Sequence, residues 1–226
     1  MKFCLNSFDK NEKRIIAGIV ADLMGDGHLQ KPPKNRFDYT SKSIEELDRF
    51  AREIYLVFII KGKIRRCSTN KYLTYNYGIN NKDLALFLGE IGVPRGNKVL
   101  ISFKIPKWIL EEKYLFARFI NRLFSCEASV DIKYRAIDFN MYKSLSLIED
   151  GFRFFNQIKN NLEKHYQIRT TNAFLSGKPN LRKDGIFTKC IRLKIKNIES
   201  LKLYNDYIGF DDENKKRKLK ELIENN

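Results

Sequence analysis

Apolar residues recur at helical spacing between positions 10 and 25, where Ile15, Ile16, Ile19, Val20 and Leu23 share one face. Asp9 and Glu12 precede them at capping-box spacing, and Gly25-Asp26-Gly27 stops the run. Ala17, Ala21 and Gly25 recur every fourth position, a small-residue stripe that lets a second helix backbone approach closely. Period-two segments at 28–31 and 37–41 predict strands around a Pro32-Pro33-Lys34-Asn35 turn. A helix follows, with Glu45 and Glu46 in its first turn and Leu47, Phe50, Ala51, Ile54, Tyr55 and Phe58 on its apolar face, until Gly62. Residues 63–68 and 72–79 read as a hairpin in which Leu73, Tyr75, Tyr77 and Ile79 point inward while Tyr72, Thr74 and Asn76 face out. A short helix over 82–91 closes at Gly92, completing the order α-β-β-α-β-β-α.

The second half repeats that order. A helix over 107–126 follows Pro106, with strands at 129–134 and 136–141 and a long helix at 145–166. Strands at 167–174 and 187–195 flank a Gly177-Lys178-Pro179-Asn180 turn. In the last strand Ile191, Leu193 and Ile195 point one way and Arg192, Lys194 and Lys196 the other. A helix over 198–208 is capped by Gly209, and 211–226 reads as one more charged helix. The class is α+β, with halves at 1–104 and 105–226 joined by a short linker near 99–106. Two stretches vary one theme: residues 19–27 and 120–128 are each an apolar helix ending on an acid, Asp26 and Glu127, which lie 101 residues apart. A repeated unit that ends twice in a carboxylate suggests two acids meeting at a pseudo-twofold axis.

Composition narrows the chemistry. The 226 residues are 43% hydrophobic, enough to bury a core, and 43 Lys and Arg against 27 Asp and Glu leave a net charge of +16. That excess favours a polyanionic partner, because neutralising phosphates releases condensed counterions. With two repeated acids it points to metal-assisted cutting of nucleic acid. Cys4, Cys67, Cys126 and Cys190 have no paired spacing and only His28 and His165 could join them, so no zinc site is expected. The charged run at 9–14 leaves no signal-peptide core, and no segment approaches the roughly 18 uninterrupted apolar residues of a membrane span. The expectation is an intracellular protein of the cytoplasm or nucleoid, or of an organelle, with reduced thiols and no membrane.

The two repeated stretches resemble the signature of the LAGLIDADG homing endonucleases, in the single-chain, two-motif form. In the first, Ala21 and Gly25 stand as the small interface residues and Asp26-Gly27 as the closing acid-glycine pair. Its continuation Gly25-Asp26-Gly27-His28-Leu29 is similar to an archaeal variant. In the second, residues 119–130 follow the family's Phe-Leu-Arg-Gly-Leu-Phe-Asp-Ala-Glu-Gly-Ser-Val-like form. Gly92-Val93-Pro94-Arg95-Gly96-Asn97-Lys98, Ile208-Gly209-Phe210 and residues 215–219 match the ends of the two halves. The resemblance covers nearly the whole chain. Two residues depart from it. Arg122 stands where the family prefers glycine, which demands wider packing or an escape route for its guanidinium. Ala128 replaces the glycine after the acid, which disfavours a left-handed turn there.

The resemblance implies two four-stranded antiparallel sheets forming a DNA-binding saddle, paired through two central motif helices that meet at Ala17, Ala21, Gly25, Arg122 and Cys126. It implies that Asp26 and Glu127 are catalytic and, with Gly25 and Cys126, hold Mg2+. Mn2+ would substitute, and Ca2+ would support binding without cleavage. Ser41, Lys42, Asn140, Met141 and Lys143 fall at the active-site periphery. Base and backbone contacts fall to Gln30, Lys34, Arg36, Lys63, Arg65, Tyr72, Thr74 and Asn76 in the first half. In the second they fall to Lys133, Arg135, Asp138, Arg169, Lys178, Arg182, Arg192 and Lys194. The implied activity is site-specific double-strand cleavage of a long, near-asymmetric duplex by a monomer, leaving short 3′ overhangs. A non-cleaving binder of the same fold, an RNA-splicing maturase with intron RNA as partner or a DNA-binding regulator, is the alternative. The Met1 start and the Glu224-Asn225-Asn226 end favour a free-standing, intron-encoded product over an intein.

Overall fold

The computed structural model describes residues 3–67 and 73–225, so the expected outward residue Tyr72 lies outside the described residues. The chain divides into two compact units, Met1–Asn97 and Lys98–Asn226.

Unit 1 opens with α1 (Lys10–Met24), started by the capping box its sequence predicts: Asp9 accepts from the Glu12 N–H and Glu12 accepts from the Asp9 N–H, each at 2.8 Å. Strands β1 (Gly27–Leu29) and β2 (Arg36–Ser41), helix α2 (Ile44–Phe58), strands β3 (Lys63–Arg66) and β4 (Tyr75–Asn80), and helix α3 (Lys82–Glu90) follow. The antiparallel sheet runs β1-β2-β4-β3. Strand alternation sends Leu29, Phe37, Tyr39, Tyr77 and Ile79 into the core, where Tyr39 stacks on Phe50 of α2 at 4.9 Å. Each such aromatic contributes about 1.5–3 kcal/mol by leaving water. The expected alternation fails at its start: Leu73 is 56% exposed and Thr74 only 7%. Both precede Tyr75, the first residue of β4, before which the pairing is extended by one backbone bond, from the Cys67 N–H to the Thr74 carbonyl at 2.9 Å.

Unit 2 contains a short α4 (Lys107–Leu110), α5 (Lys113–Glu127), β5 (Ala128–Asp131), β6 (Ala136–Ser144), α6 (Ile148–Tyr166), β7 (Phe174–Leu181), β8 (Phe187–Ile195), α7 (Ile198–Tyr207) and α8 (Glu213–Glu224). Its antiparallel sheet runs β5-β6-β8-β7. Rings of Phe124, Phe139 and Phe155 form the core, with centroids 4.6 Å and 4.9 Å apart in successive pairs. Three expectations need correction. The helix expected over 107–126 breaks where Glu112 adopts extended backbone (φ −113°, ψ 114°); both flanks keep apolar periodicity, so the pattern does not reveal the break. The long helix begins at Ile148, after a single 3-10 turn at Leu145–Leu147. Gly177 to Asn180 is no hairpin turn but an irregularity inside β7, where the register shifts between Ser176 and Asn180. Gly177 supplies a positive φ there, and Pro179 has no N–H for the ladder. The actual turn lies at Arg182 to Ile186, with Gly185 at φ 79° and the Gly185 N–H bonded to the Arg182 carbonyl.

Candidate nucleic-acid interface and acid-tipped helices

Each unit's first long helix delivers an acid to its junction with the first strand. In unit 1 the Gly25 N–H closes α1 on the Ala21 carbonyl at 2.8 Å, and Asp26 stands exposed before Gly27 begins β1. Gly27 is required by crowding: a Cβ there would lie 2.7 Å from Leu23 Cα and 3.0 Å from the Asp38 carbonyl. In unit 2 half-exposed Glu127 is the last residue of α5, and Ala128 enters β5 directly with extended backbone (φ −95°, ψ 155°). No left-handed turn occurs, so alanine carries none of the expected strain.

Arg122 is fully buried and its guanidinium has an escape route. Its Nη1 donates to Asp211 Oδ2 at 2.7 Å, and Arg118, one turn earlier, donates to the same oxygen at 2.9 Å. Burial raises the Asp211 pKa, but the two guanidiniums outweigh it and hold the carboxyl below its ordinary range. Around this pair the segment after α7 is bonded to the last turns of α5. The Asn121 amide donates to the carbonyls of Ile208 and Gly209, the Asp211 N–H donates to Ser125 Oγ, and the Lys215 ammonium donates to the Ser125 carbonyl. A cation on the C-terminal carbonyls of α5 also complements the helix dipole.

The outward face of the first sheet is polar and basic. Arg36 reaches Asn76 at 3.5 Å and Asp38 at 3.7 Å, while Asn76 donates to Thr40 at 3.1 Å. Arg36, Lys61, Lys63 and Arg65 line a cleft of about 340 Å³ beside Gly78. On the second sheet Asp138 takes both Arg192 (3.1 Å) and Lys194 (3.0 Å).

No protein-family model matches the chain. Among solved structures it is similar to the homing endonuclease I-DmoI in complex with DNA and Mn, with 16% identity and a TM-score of 0.53 over 88% of this chain and 98% of that one. It is similar to the homing endonuclease I-WcaI bound to its DNA recognition sequence, with 13% identity and a TM-score of 0.56 over 95% and 89% of the two chains. Full-length DUF199/WhiA from Thermatoga maritima gives 14% identity and 0.58, over 98% and 62%. The fold is the homing-endonuclease fold. Sequence relatives are of another kind. The RNA polymerase subunit Rpo1N of Methanocaldococcus jannaschii is 26% identical over 94% of this chain and 17% of its own length. The replication factor C small subunit of the same organism is 29% identical over 54% and 7%. The tRNA-splicing ligase RtcB of Methanopyrus kandleri is 24% identical over 89% and 21%. The chain thus spans less than a quarter of the length of these curated relatives.

On the homing-endonuclease fold the sequence-derived site residues separate into distinct groups. Ala17, Ala21 and Gly25 are buried along α1, and Cys126 is half-buried. Lys34, Lys63, Arg65, Lys133, Arg135, Arg169 and Lys178 are exposed; Gln30, Arg36, Asn76, Arg182, Arg192 and Lys194 are half-buried. Thr74 is buried, and Asp138 is 5% exposed with its Oδ2 held by its two neighbouring cations. At the expected periphery Ser41 and Asn140 are half-buried and Lys42 is exposed. Met141 and Lys143 are on the core side: both share the parity of Phe139, which period-two alternation turns inward. Lys143, 3% exposed, donates to the carbonyls of Lys98 (2.6 Å) and Ile101 (2.8 Å) and lies 3.8 Å from the centre of the Phe103 ring. Burial pushes its pKa down to about 8, with Lys98 acting in the same direction and Asp150 against it. Asp211 and Lys61 were missed. The i,i+4 spacing of Arg118 and Arg122 was the available signal for a shared anionic partner.

Proposed function

We propose that the chain is a site-specific, divalent-metal-dependent DNA endonuclease of the LAGLIDADG type, acting as an intracellular monomer. On this reading it cuts both strands of a long, near-asymmetric duplex across the minor groove and leaves short 3′ overhangs. The observation that carries this is the recurrence, in two units that share an α-β-β-α-β-β-α core, of an acid at the end of the helix that leads into the first strand: Asp26 after α1 and Glu127 closing α5. The donor chemistry fits a hard cation. Asp26 and Glu127 offer carboxylate oxygens, which suit Mg2+, an ion that keeps waters and takes phosphate oxygens. I-DmoI–DNA complexes exist with Mn, Mg and Ca. Asp26 and Glu127 would hold the ion, which when bound supplies Lewis-acid stabilisation of the phosphate and a more acidic water. The chain's own part is to seat the duplex: Lys63 and Arg65 on β3 and the cations of the second sheet neutralise phosphates and position the backbone.

The relatives support a mobile element. A polymerase subunit, a replication factor and an RNA ligase share no activity, yet each resembles this chain over a small part of its length. What they have in common with it is a segment, and a segment found in unrelated hosts travels by its own means. Selection of cleaved duplexes from a random library in Mg2+ tests the reading. Asp26→Asn and Glu127→Gln should each abolish double-strand cutting while keeping DNA affinity, which itself should fall with salt at a log-log slope of about −0.9 per phosphate neutralised. Double-strand cutting retained by either variant would overturn it.

A further inference from the structure

The outward faces of the two sheets differ in one respect that base recognition would register. On the first sheet the cross-strand rows are polar: His28, Asp38, Gly78 and Lys63 form one, and Thr40, Asn76 and Arg65 the next. Among the described residues, no exposed large hydrophobic side chain of unit 1 has the parity of that face. On the second sheet Asn140, Arg192 and Phe174 share a row, and Tyr142, Cys190 and Ser176 the next. Tyr142 is 48% exposed and Phe174 39%. Tyr142 on β6 and Phe174 on β7 are two separate exposed rings on adjacent rows of one face, with Arg192 on β8 between them and Lys194 beside it, so each offers an apolar surface inside a cationic field.

Among the edge groups that identify bases in the DNA major groove, one is apolar, the C5 methyl of thymine; the rest are hydrogen-bond donors and acceptors. We infer that unit 2 reads thymine methyls through Phe174 and Tyr142, whereas the polar face of unit 1 reads hydrogen-bonding edges alone. This inference rests on the proposed DNA-cutting reading and adds to it a chemical asymmetry of the target: one half depends on thymine methyls, the other does not.

The test uses the full chain. Duplexes bound from a random library in Ca2+ are sequenced, and the consensus duplex is resynthesised with deoxyuridine replacing thymidine in one half at a time, removing only the methyls. Burying one methyl-sized group corresponds to about fourfold in binding, so loss of two contacted methyls should weaken binding by roughly fifteenfold in one half, against less than about twofold in the other. The paired change Phe174→Ser and Tyr142→Ser should erase the penalty, making uracil and thymine duplexes bind alike. Equal uracil sensitivity in both halves, none in either, or a penalty that survives in the paired variant would overturn the inference while leaving the nuclease reading intact. Failure to enrich any duplex would overturn the DNA reading itself, and the inference with it. The uracil arm uses unaltered protein and does not depend on a variant folding.

Discussion

Helices α1 and α5 both end at an acid, yet they are fixed by different means. Helix α1 is specified by its neighbours in sequence: the Asp9–Glu12 box starts it, and the crowding that demands Gly27 governs its exit. Helix α5 has no side-chain cap at Glu112, and its end is tied by residues 86 to 93 positions further along the chain: Ile208, Gly209, Asp211 and Lys215. The same contrast holds inside the sheets. Gly27 pairs with Tyr39 as Ala128 pairs with Phe139, so Ser43 and Lys143 occupy equivalent positions four residues on. Ser43 caps α2 locally, accepting from the Glu46 N–H, whereas Lys143 reaches back to the carbonyls of Lys98 and Ile101. The ends of equivalent helices can therefore be fixed by local signals in α1 and by distant polar anchors in α5, although α1 too has a non-local ion pair at mid-helix, where buried Asp22 meets Arg49 of α2 at 3.0 Å.

The sharpest way to break that contrast is at Asp211. Asp211→Ala takes the Asp211 carboxylate away from the fully buried Arg122 guanidinium, and breaking a buried ion pair by removing one partner costs about 3–5 kcal/mol. Denaturant unfolding followed by a probe in unit 2 should show this loss. The double variant Asp211→Ala with Arg122→Met should recover most of it, since the fully buried charge is then gone and Arg118 is partly exposed. A loss confined to a few tenths of a kcal/mol would show that α5 does not depend on its distant anchor.

A smaller effect follows from Lys143. Its folded-state pKa of about 8 lies below the ordinary lysine value of 10.5, so between those pH values the unfolded chain binds more protons than the folded one. Stability therefore carries a burial penalty below about pH 8 and recovers as pH rises towards 10.5. The recovery should be about 1–3 kcal/mol, at roughly 1.4 kcal/mol per pKa unit. Comparing denaturation midpoints of the native chain and Lys143→Met across pH 7.5–10.5 isolates it, because the Met variant lacks the titrating group; parallel curves would mean that Lys143 is not desolvated.

These anchors mark how far the sequence can be read. Element order, the two sheets, the acid at each helix end and the Asp9–Glu12 cap were legible because periodicity, capping and turn chemistry act over a few residues. The family resemblance places Lys143 at the active-site periphery by its position at the end of the half's second strand. Its parity with Phe139 and Met141 already indicated burial, and its type masked that. Asp211 was not legible as the partner of Arg122: that pairing depends on a chain return 89 residues away, which no local pattern encodes. The Gly177-Lys178-Pro179-Asn180 run has turn composition yet sits inside β7, and the true turn at Asp184-Gly185 has the same chemistry. Composition alone could not rank the two.

The gentlest probe of the contrast lies at the helix starts. Removing the cap with Asp9→Ala should cost α1 about 1 kcal/mol, the usual worth of an N-cap oxygen that accepts a backbone N–H. At Glu112 no side-chain bond exists to lose, so Glu112→Ala should be close to neutral. Glu112→Ser, by supplying a better cap at a residue already in extended backbone (φ −113°, ψ 114°), should raise stability by about 0.5–1 kcal/mol. Hydrogen exchange of the first-turn amides of the two helices reads each change where it acts: protection should fall in α1 for Asp9→Ala and rise in α5 for Glu112→Ser. Equal sensitivity of the two starts to cap removal would mean that α5 is specified locally after all, and that its distant anchors on Asp211 and Lys215 add stability to a helix that does not need them to form.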